Sequence, residues 1–282
     1  MLIRKGISYM LLATLFFQFM NMCVKFVPHI PAHEIIFFRC IVSLLFSYIH
    51  LSILKIPLWG NQKGILILRG LFGLISLTAF FVTLQRMPLA TAVTIQYLSP
   101  IFTISFAALF LYEKTRWIQY LFFAFSFAGI IIVRGFDNRI TTPDLLLGIG
   151  SAIFSGLAYT MIRKTRNSEH PLVVVFYFPL VALPFISAWC FIDWVQPTGS
   201  DWIFLILTGV FTQAAQVMMT RAFQLEPASV ISGIQYLGLI LSFSIGYFIF
   251  DETFTLINLA GMGMIVAGVM MNYFYEHSKH IK

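Results

Sequence analysis

Long apolar segments separated by short polar turns fill almost the whole chain. Each segment is close to the about 20 residues that an α-helix needs to cross the hydrocarbon core of a bilayer. None of them shows the strict alternation of a strand in a transmembrane barrel. The pattern therefore predicts an all-α, polytopic membrane protein with ten transmembrane helices. The predicted spans cover residues 7–27, 34–54, 65–84, 90–112, 117–133, 145–162, 172–192, 202–223, 229–250 and 256–275.

The composition excludes a water-soluble protein of this length. Hydrophobic residues make up 59% of the 282 residues and charged residues only 10%, whereas soluble domains carry about 25% charged residues. The net charge of +7 lies in short turns between spans, so it reports topology rather than nucleic-acid binding. Cys23, Cys40 and Cys190 show no metal spacing and are expected to be small buried hydrophobes. No cofactor is predicted.

The chain contains an internal repeat. The tripeptide Gln96-Tyr97-Leu98 returns as Gln235-Tyr236-Leu237, 139 residues later. Because this offset is close to half of the chain, the repeat predicts two related five-helix halves, residues 1–138 and 139–282. The same offset also relates Pro88 to Pro227, Ile95 to Ile234, Glu113 to Glu252 and Gly129 to Gly268.

The two halves differ at span 4 and its counterpart, span 9. Gly238 and Leu239 stand where the first half has Ser99 and Pro100. A proline bends or breaks a helix, so the two spans are expected to differ in shape. Spans 5 and 10, in contrast, carry small residues at equivalent positions of the repeat. The spacing of these residues allows the two helices to pack closely as a scaffold. These small residues are Ala124, Ala128 and Gly129 in span 5, and Gly263, Ala267 and Gly268 in span 10.

The distribution of basic residues predicts the orientation of the chain. With the N-terminus in the cytoplasm, thirteen of the 18 lysines and arginines fall on the cytoplasmic side, which is the side that basic loops prefer. We therefore expect a cell (inner) membrane protein with both termini in the cytoplasm. Five spans per half is an odd number, so the second half is inverted. The thirteen residues are Arg4, Lys5, Lys55, Lys63, Arg69, Lys114, Arg116, Arg163, Lys164, Arg166, Arg221, Lys279 and Lys282.

Polar side chains recur at helical spacing inside several spans. Such residues are costly in lipid and are expected to face the protein interior or a water-filled cavity. Hydrogen bonding between helices would explain any single one of them equally well. Tyr97 and Tyr236 could stack on a substrate or pack against a neighbouring helix. The predicted substrate-binding residues are Gln18, Asn21, Arg39, Phe80, Gln96, Tyr97, Ser99, Tyr159, Gln213, Gln216, Gln235 and Tyr236.

Arg39 is the most costly of these residues, because it lies one to two turns inside span 2. Glu34 precedes it by five residues, which is a poor helical spacing for an ion pair. The guanidinium either attracts an anionic group such as a substrate carboxylate or snorkels to the interface. No Asp or Glu lies deep in a predicted span. Exchange, facilitated diffusion and coupling through a less obvious group therefore all stay open.

Several short motifs resemble those of EamA-type members of the drug/metabolite transporter superfamily. They are Met87-Pro88-Leu89-Ala90, Ser99-Pro100, Leu111-Tyr112-Glu113-Lys114 and Phe127-Ala128-Gly129-Ile130, with looser counterparts in the second half. Arg39 also lies where such proteins often carry an arginine. The resemblance implies a ten-helix transporter of amino acids or other metabolites, or an S-adenosylmethionine carrier.

The favoured function is a secondary transporter, either an exporter or an exchanger, of small polar or amphiphilic metabolites such as amino acids. Inverted repeats are typical of such proteins, and their substrate site lies at the midplane between the repeats. The alternatives are a carrier of S-adenosylmethionine-type or nucleotide-like metabolites and, from another class, an integral membrane enzyme. The expected partners are a small-molecule substrate and the lipid bilayer, without nucleic acid, for a monomer or weak homodimer.

Overall fold

The computed structural model describes residues 5–111, 117–136, 140–226 and 237–277, together with Ile231 and Ile234. All regular structure in these residues is α-helical, as the apolar pattern predicts. The helices are α1 (Lys5–Phe26), α2 (Ala32–Ile53), α3 (Lys63–Arg86), α4 (Leu89–Gln96), α5 (Ser99–Leu111), α6 (Trp117–Phe136), α7 (Thr142–Lys164), α8 (Pro171–Cys190), α9 (Asp201–Leu225), α10 (Leu237–Ile249) and α11 (Leu256–His277).

Seven segments of the described chain are long and apolar enough to cross a membrane. They are α1, α2, α3, α7, α8, α9 and the combined segment Leu89–Phe110, which contains α4 and most of α5. Shorter apolar stretches lie at Tyr120–Gly129, Leu237–Ile249 and Leu256–Gly268. The chain is therefore a multi-pass helical membrane protein, and the count of ten crossings stays a prediction.

The segment predicted as span 4 is not one continuous helix. Helix α4 ends at Gln96 and α5 begins at Ser99, so the predicted span 90–112 contains a break at the place where Pro100 was expected to bend or break it. Pro100 has no N–H group to donate to the carbonyl of Gln96, and this loss of a helical hydrogen bond interrupts the helix. Backbone hydrogen bonding resumes at Ile101, whose N–H donates to the Leu98 carbonyl at 2.9 Å. The interruption coincides with the first copy of Gln-Tyr-Leu.

Helices from the N-terminal part of the chain pack mainly on helices from the C-terminal part. Helix α1 packs along α9, α3 along α7, α2 along α8 and α6 along α11. Apolar side chains such as Ile131, Phe248 and Leu256 are exposed on the outside, where lipid tails are as apolar as they are. Polar side chains lie inside the helix bundle instead, so the pairing of helices positions an internal polar site.

Helices α6 and α11 approach closely at two glycines, as the small residues predict. A Cβ atom on Gly129 would lie 2.5 Å from the Gly261 carbonyl oxygen, and one on Gly268 would overlap the hydroxyl of Ser126. That hydroxyl donates to the Ile265 carbonyl at 3.2 Å. Gly263 has no atom within 4 Å of such a Cβ, so it lies away from the contact. Gly129 and Gly268 therefore belong to the contact, and Gly263 does not.

Candidate functional site: a polar cavity in the helix bundle

A cavity lies in the middle of the bundle, between helices from both parts of the chain. Its empty volume is about 940 Å³, including space open to solvent. Helices α1, α2, α3, α4, α5, α7, α8 and α9 all contribute side chains to its wall. Nine of the residues predicted from the sequence line it, namely Gln18, Asn21, Arg39, Phe80, Gln96, Tyr97, Ser99, Tyr159 and Gln216.

Helix α1 supplies one polar wall through Thr14, Gln18 and Asn21, which are all buried. Their spacing places them on one helical face, as the sequence predicts. The Asn21 amide donates to the Gln18 side-chain oxygen at 3.4 Å. The side-chain oxygens of Thr14 and Asn21 have no hydrogen-bond partner in the structure. Buried polar atoms are nearly always satisfied, so these two are available to a ligand or water.

Gln96 belongs to a hydrogen-bonded network that joins α3, α4 and α7. Its amide nitrogen donates to the Ser155 hydroxyl at 2.6 Å, and its oxygen accepts from the Ser151 hydroxyl at 2.8 Å. Ser76 adds a bond from its hydroxyl to the Ser151 carbonyl at 2.9 Å. Gln96 thus both lines the cavity and forms hydrogen bonds between helices. The network fixes its position at the interruption between α4 and α5.

Arg39 lies inside the protein at the cavity wall, with 1% of its surface exposed. Its Nε donates to the Thr212 hydroxyl at 2.9 Å, whereas its Nη1 has no hydrogen-bond partner. The guanidinium carbon lies 5.1 Å from the centroid of the Phe178 ring, within the range of a cation–π contact. The side chain does not snorkel to an interface. Glu34 is engaged elsewhere, because its carboxylate accepts from the Val195 N–H at 3.0 Å.

Arg69 is a second buried cation that the sequence analysis did not include in the site. The charge count places it on the cytoplasmic side, but in the structure it lies in the second turn of α3, lines the cavity and is 3% exposed. Its Nη2 donates to the Gln216 side-chain oxygen at 2.9 Å, and its Nε has no partner. Its guanidinium carbon also lies 5.1 Å from the Phe178 ring centroid. The position of Arg69 inside the predicted span 65–84 was the signal that could have identified it.

Two tyrosines complete the wall. Tyr159 stacks on Phe223 with the ring centroids 5.3 Å apart, so one of its faces is used in packing. Tyr97 caps the end of α4, and its hydroxyl lies directly against Gly238 of α10. A side chain at position 238 would meet that hydroxyl, which explains why glycine replaces the serine found at the equivalent position 99.

Gln213 does not line this cavity. Its amide nitrogen donates to the Ser47 hydroxyl at 2.8 Å, and its oxygen accepts from Ser43 at 2.5 Å. The residue therefore joins α9 to α2. A polar stripe on a helix does not reveal which neighbouring helix each residue meets, and Gln213 and Gln216 face different neighbours. Gln235 and Tyr236 lie outside the described residues.

An ion pair lies beyond the end of the cavity where α1 ends and α4 begins. Lys25 continues the polar face of α1, and its Nζ lies 2.5 Å from Glu252 Oε1 and 2.8 Å from the Met87 carbonyl oxygen. Glu252 Oε1 also accepts from the Leu89 N–H at 2.7 Å. The pair connects α1, the start of α4 and the segment before α11. Among the residues that the structure describes, no group of three His, Cys, Asp or Glu could hold a metal ion.

Comparison with known proteins identifies the family. The profile of the EamA-like transporter family matches residues 4–135 and again residues 142–274. The chain belongs to this family. The pseudopaline exporter CntI of Pseudomonas aeruginosa (strain UCBPP-PA14) is 31% identical over 272 residues, covering 94% of each protein. The S-adenosylmethionine uptake transporter of Rickettsia felis (strain ATCC VR-1525 / URRWXCal2) is 26% identical and covers 77% of this chain and 72% of its own length.

A solved crystal structure shares the fold with a TM-score of 0.69 at 17% identity, covering 94% of each chain. The EamA family and the transporters among its relatives identify this EamA protein as a membrane transporter of metabolites rather than an enzyme. Its central cavity is the natural candidate for the site where a metabolite binds.

Proposed function

We propose that this EamA protein is a secondary transporter, either an exporter or an exchanger, of small polar metabolites such as amino acids. It works by alternating access between two inverted five-helix halves, residues 1–138 and 139–282, with ten crossings in all. The observation that carries the proposal is the polar cavity lined by helices of both halves. A site between inverted repeats is what alternating access requires, because rocking of the halves exposes the same site to either side.

The pairing of helices supports the two-fold relation of the halves. If α1 to α3 correspond to α7 to α9, the contact of α1 with α9 has its counterpart in the contact of α7 with α3, and both are observed. The contact of α2 with α9 likewise has its counterpart in that of α8 with α3. The contacts of α2 with α8 and of α6 with α11 map onto themselves. The family profile also matches the two halves in succession.

The proposed orientation places both termini in the cytoplasm and the protein in the cell (inner) membrane. Arg69 and Arg39 are both buried inside the bundle, so neither counts toward the orientation. Arg69 is removed from the thirteen basic residues on the cytoplasmic side, and Arg39 from the five on the other side. Twelve basic residues then face four, so the bias toward cytoplasmic turns persists without the two arginines.

In this function the cavity residues have distinct roles. Arg39 attracts a carboxylate, because its unpartnered Nη1 is a buried, charged donor. Gln18, Asn21 and Gln216 offer hydrogen bonds to the polar groups of the substrate, and Tyr97 offers an aromatic edge. A carrier of S-adenosylmethionine-type or nucleotide-like metabolites is the second candidate. It is favoured by the tyrosines at the wall, on which a base could stack, and by the transporter of Rickettsia felis among the relatives.

A thermal-shift screen of the purified protein against small polar metabolites tests the site. We expect a metabolite that raises the melting temperature of the wild-type protein, and we expect Gln216→Ala to lose most of this increase. Gln213→Ala is the matched control on the same helix. It should melt lower, because it loses two interhelical hydrogen bonds of about 0.6–2 kcal/mol each, yet it should keep the full shift on ligand addition. Equal retention of the shift in both variants would place the ligand elsewhere.

A further inference from the structure

Among the described residues that line it, the cavity has two positive charges and no acidic side chain. Arg39 and Arg69 both line it, and no Asp or Glu is found among its described lining residues. Guanidinium groups stay protonated in proteins, so both charges persist when the site is empty. Within the described part of the chain, neither arginine lies within ion-pair distance of a carboxylate. Their hydrogen bonds go to the neutral side chains of Thr212 and Gln216.

Each arginine also retains a buried donor that nothing in the structure satisfies. These donors are Nη1 of Arg39 and Nε of Arg69. A buried charge is stabilised by an opposite charge and by hydrogen bonds to its remaining donors. The contact with Phe178 offsets only part of this cost, since one ring is shared by both guanidinium groups. The site is therefore short of two negative charges and of hydrogen-bond acceptors for two guanidinium nitrogens.

The distance between the two arginines suits a small organic molecule. Both guanidinium carbons lie 5.1 Å from the centroid of the same Phe178 ring, so they are separated by no more than twice that distance. A carboxylate accepts hydrogen bonds from the planar fork of an arginine with good geometry. A compound with two carboxylates a few bonds apart can therefore contact Arg39 with one group and Arg69 with the other.

We propose that the transported substrate is a small organic metabolite with at least two carboxylates, one bound by Arg39 and one by Arg69. This inference rests on the proposed function, because it takes the cavity as the transport site. A zwitterion with a single carboxylate leaves one guanidinium without a counter-charge. A cationic sulfonium compound adds a further positive charge to a site that holds two, so the charge of the cavity disfavours S-adenosylmethionine.

Binding of diacids and their monoamides to the full-length protein tests this substrate class. Glutamate, aspartate and succinate are compared with glutamine, asparagine and succinamate by thermal shift and calorimetry at constant ionic strength. Each pair differs by one charge at nearly constant size. We expect at least one diacid to bind, and its monoamide to bind about tenfold or more weakly, because one charge-assisted contact is lost. This comparison uses only the wild-type protein and does not depend on the folding of a variant.

Two variants then assign the contacts. Arg69→Gln and Arg39→Gln should each weaken diacid binding by about tenfold or more, and in each variant the diacid should lose most of its advantage over the monoamide. Gln213→Ala should leave the diacid affinity unchanged. Equal affinity for diacid and monoamide would overturn the proposal, and so would stabilisation by inorganic phosphate or chloride alone with no further gain from any diacid.

The outcomes also separate this inference from the proposed function. Binding and transport of neutral or cationic metabolites, with none of the diacids bound, would leave the transporter standing and reject the dicarboxylate class. If no metabolite binds to the wild-type protein or to the cavity variants, both the proposed function of the cavity and the dicarboxylate class are rejected.

Discussion

In the Glu252→Ala variant, the free energy of unfolding is expected to fall by about 3 kcal/mol, the cost typical of breaking a buried ion pair. Lys25 and Glu252 lie largely inside the protein, with 17% and 7% of their side chains exposed. Removal of the carboxylate breaks the ion pair with Lys25 and deprives the Leu89 N–H of its acceptor. Thermal or chemical denaturation in detergent measures the loss.

Two further variants separate charge from shape in this prediction. Glu252→Gln keeps an acceptor for Leu89 and should lose less stability than the alanine variant. Arg86→Gln removes a partner of the Arg86–Asp144 ion pair, in which Arg86 is 60% exposed. Exposed pairs contribute about 0–1 kcal/mol, so this control should change stability little. Equal losses in Arg86→Gln and Glu252→Ala would contradict the view that the buried pair holds this end of the bundle together.

The pair also has a consequence for the transport cycle in the proposed mechanism. It joins α1 of the first half to the segment before α11 of the second half, beyond the end of the cavity. Opening of this end requires Lys25 and Glu252 to separate. Glu252→Gln should therefore shift the population toward the state that is open at this end, in proportion to the interaction that is lost.

The Gly238→Ala variant is expected to lose about 1–3 kcal/mol of stability and most of its transport activity. The added methyl group would overlap the Tyr97 hydroxyl and would lie 2.7 Å from Thr14 Cγ2 and 2.9 Å from Gln18 Nε2. Overpacking of this kind displaces the neighbouring groups and destabilises the protein. The displaced groups are Tyr97, Thr14 and Gln18, all of which form the cavity wall, so ligand binding should weaken together with stability.

Gly263→Ala is the matched control for this prediction. A Cβ at Gly263 has no atom within 4 Å, so alanine should be neutral or slightly stabilising in this helix. Adding Tyr97→Phe to Gly238→Ala removes the hydroxyl that the methyl group meets. The double variant should therefore recover part of the lost stability, as coupled neighbours do in a double-mutant cycle. Strict additivity of the two changes would show that the contact does not exist.

Helical periodicity was sufficient to predict much of the cavity. Gln18 and Asn21 share a face of α1, and a polar face inside a membrane must turn inward, so both lie at the wall. The same logic could not separate Gln213 from Gln216. They are three residues apart on α9, and only the packing of α2 against one side of that helix determines that Gln213 bonds to serines instead of lining the cavity.

The charge pattern was informative for topology but concealed part of the site. Arg69 lies near the end of its helix, where basic residues usually mark the cytoplasmic side, and its burial depends on Phe178 and Gln216 from distant parts of the chain. The interruption at Tyr97 and Leu98 was anticipated as a bend caused by Pro100. The close approach of Gly238 to Tyr97 required the three-dimensional arrangement of α4 and α10.

Counterflow in proteoliposomes tests the central claim most directly, which is that the cavity between the two halves carries a substrate by alternating access. Vesicles containing the purified protein are loaded with the unlabelled ligand found by thermal shift, and uptake of the labelled ligand is then followed. The proposed mechanism predicts saturable uptake that rises with the internal ligand, persists in Gln213→Ala and is lost in Arg39→Gln. Non-saturating flux that ignores the internal ligand, or full uptake in Arg39→Gln, would contradict it.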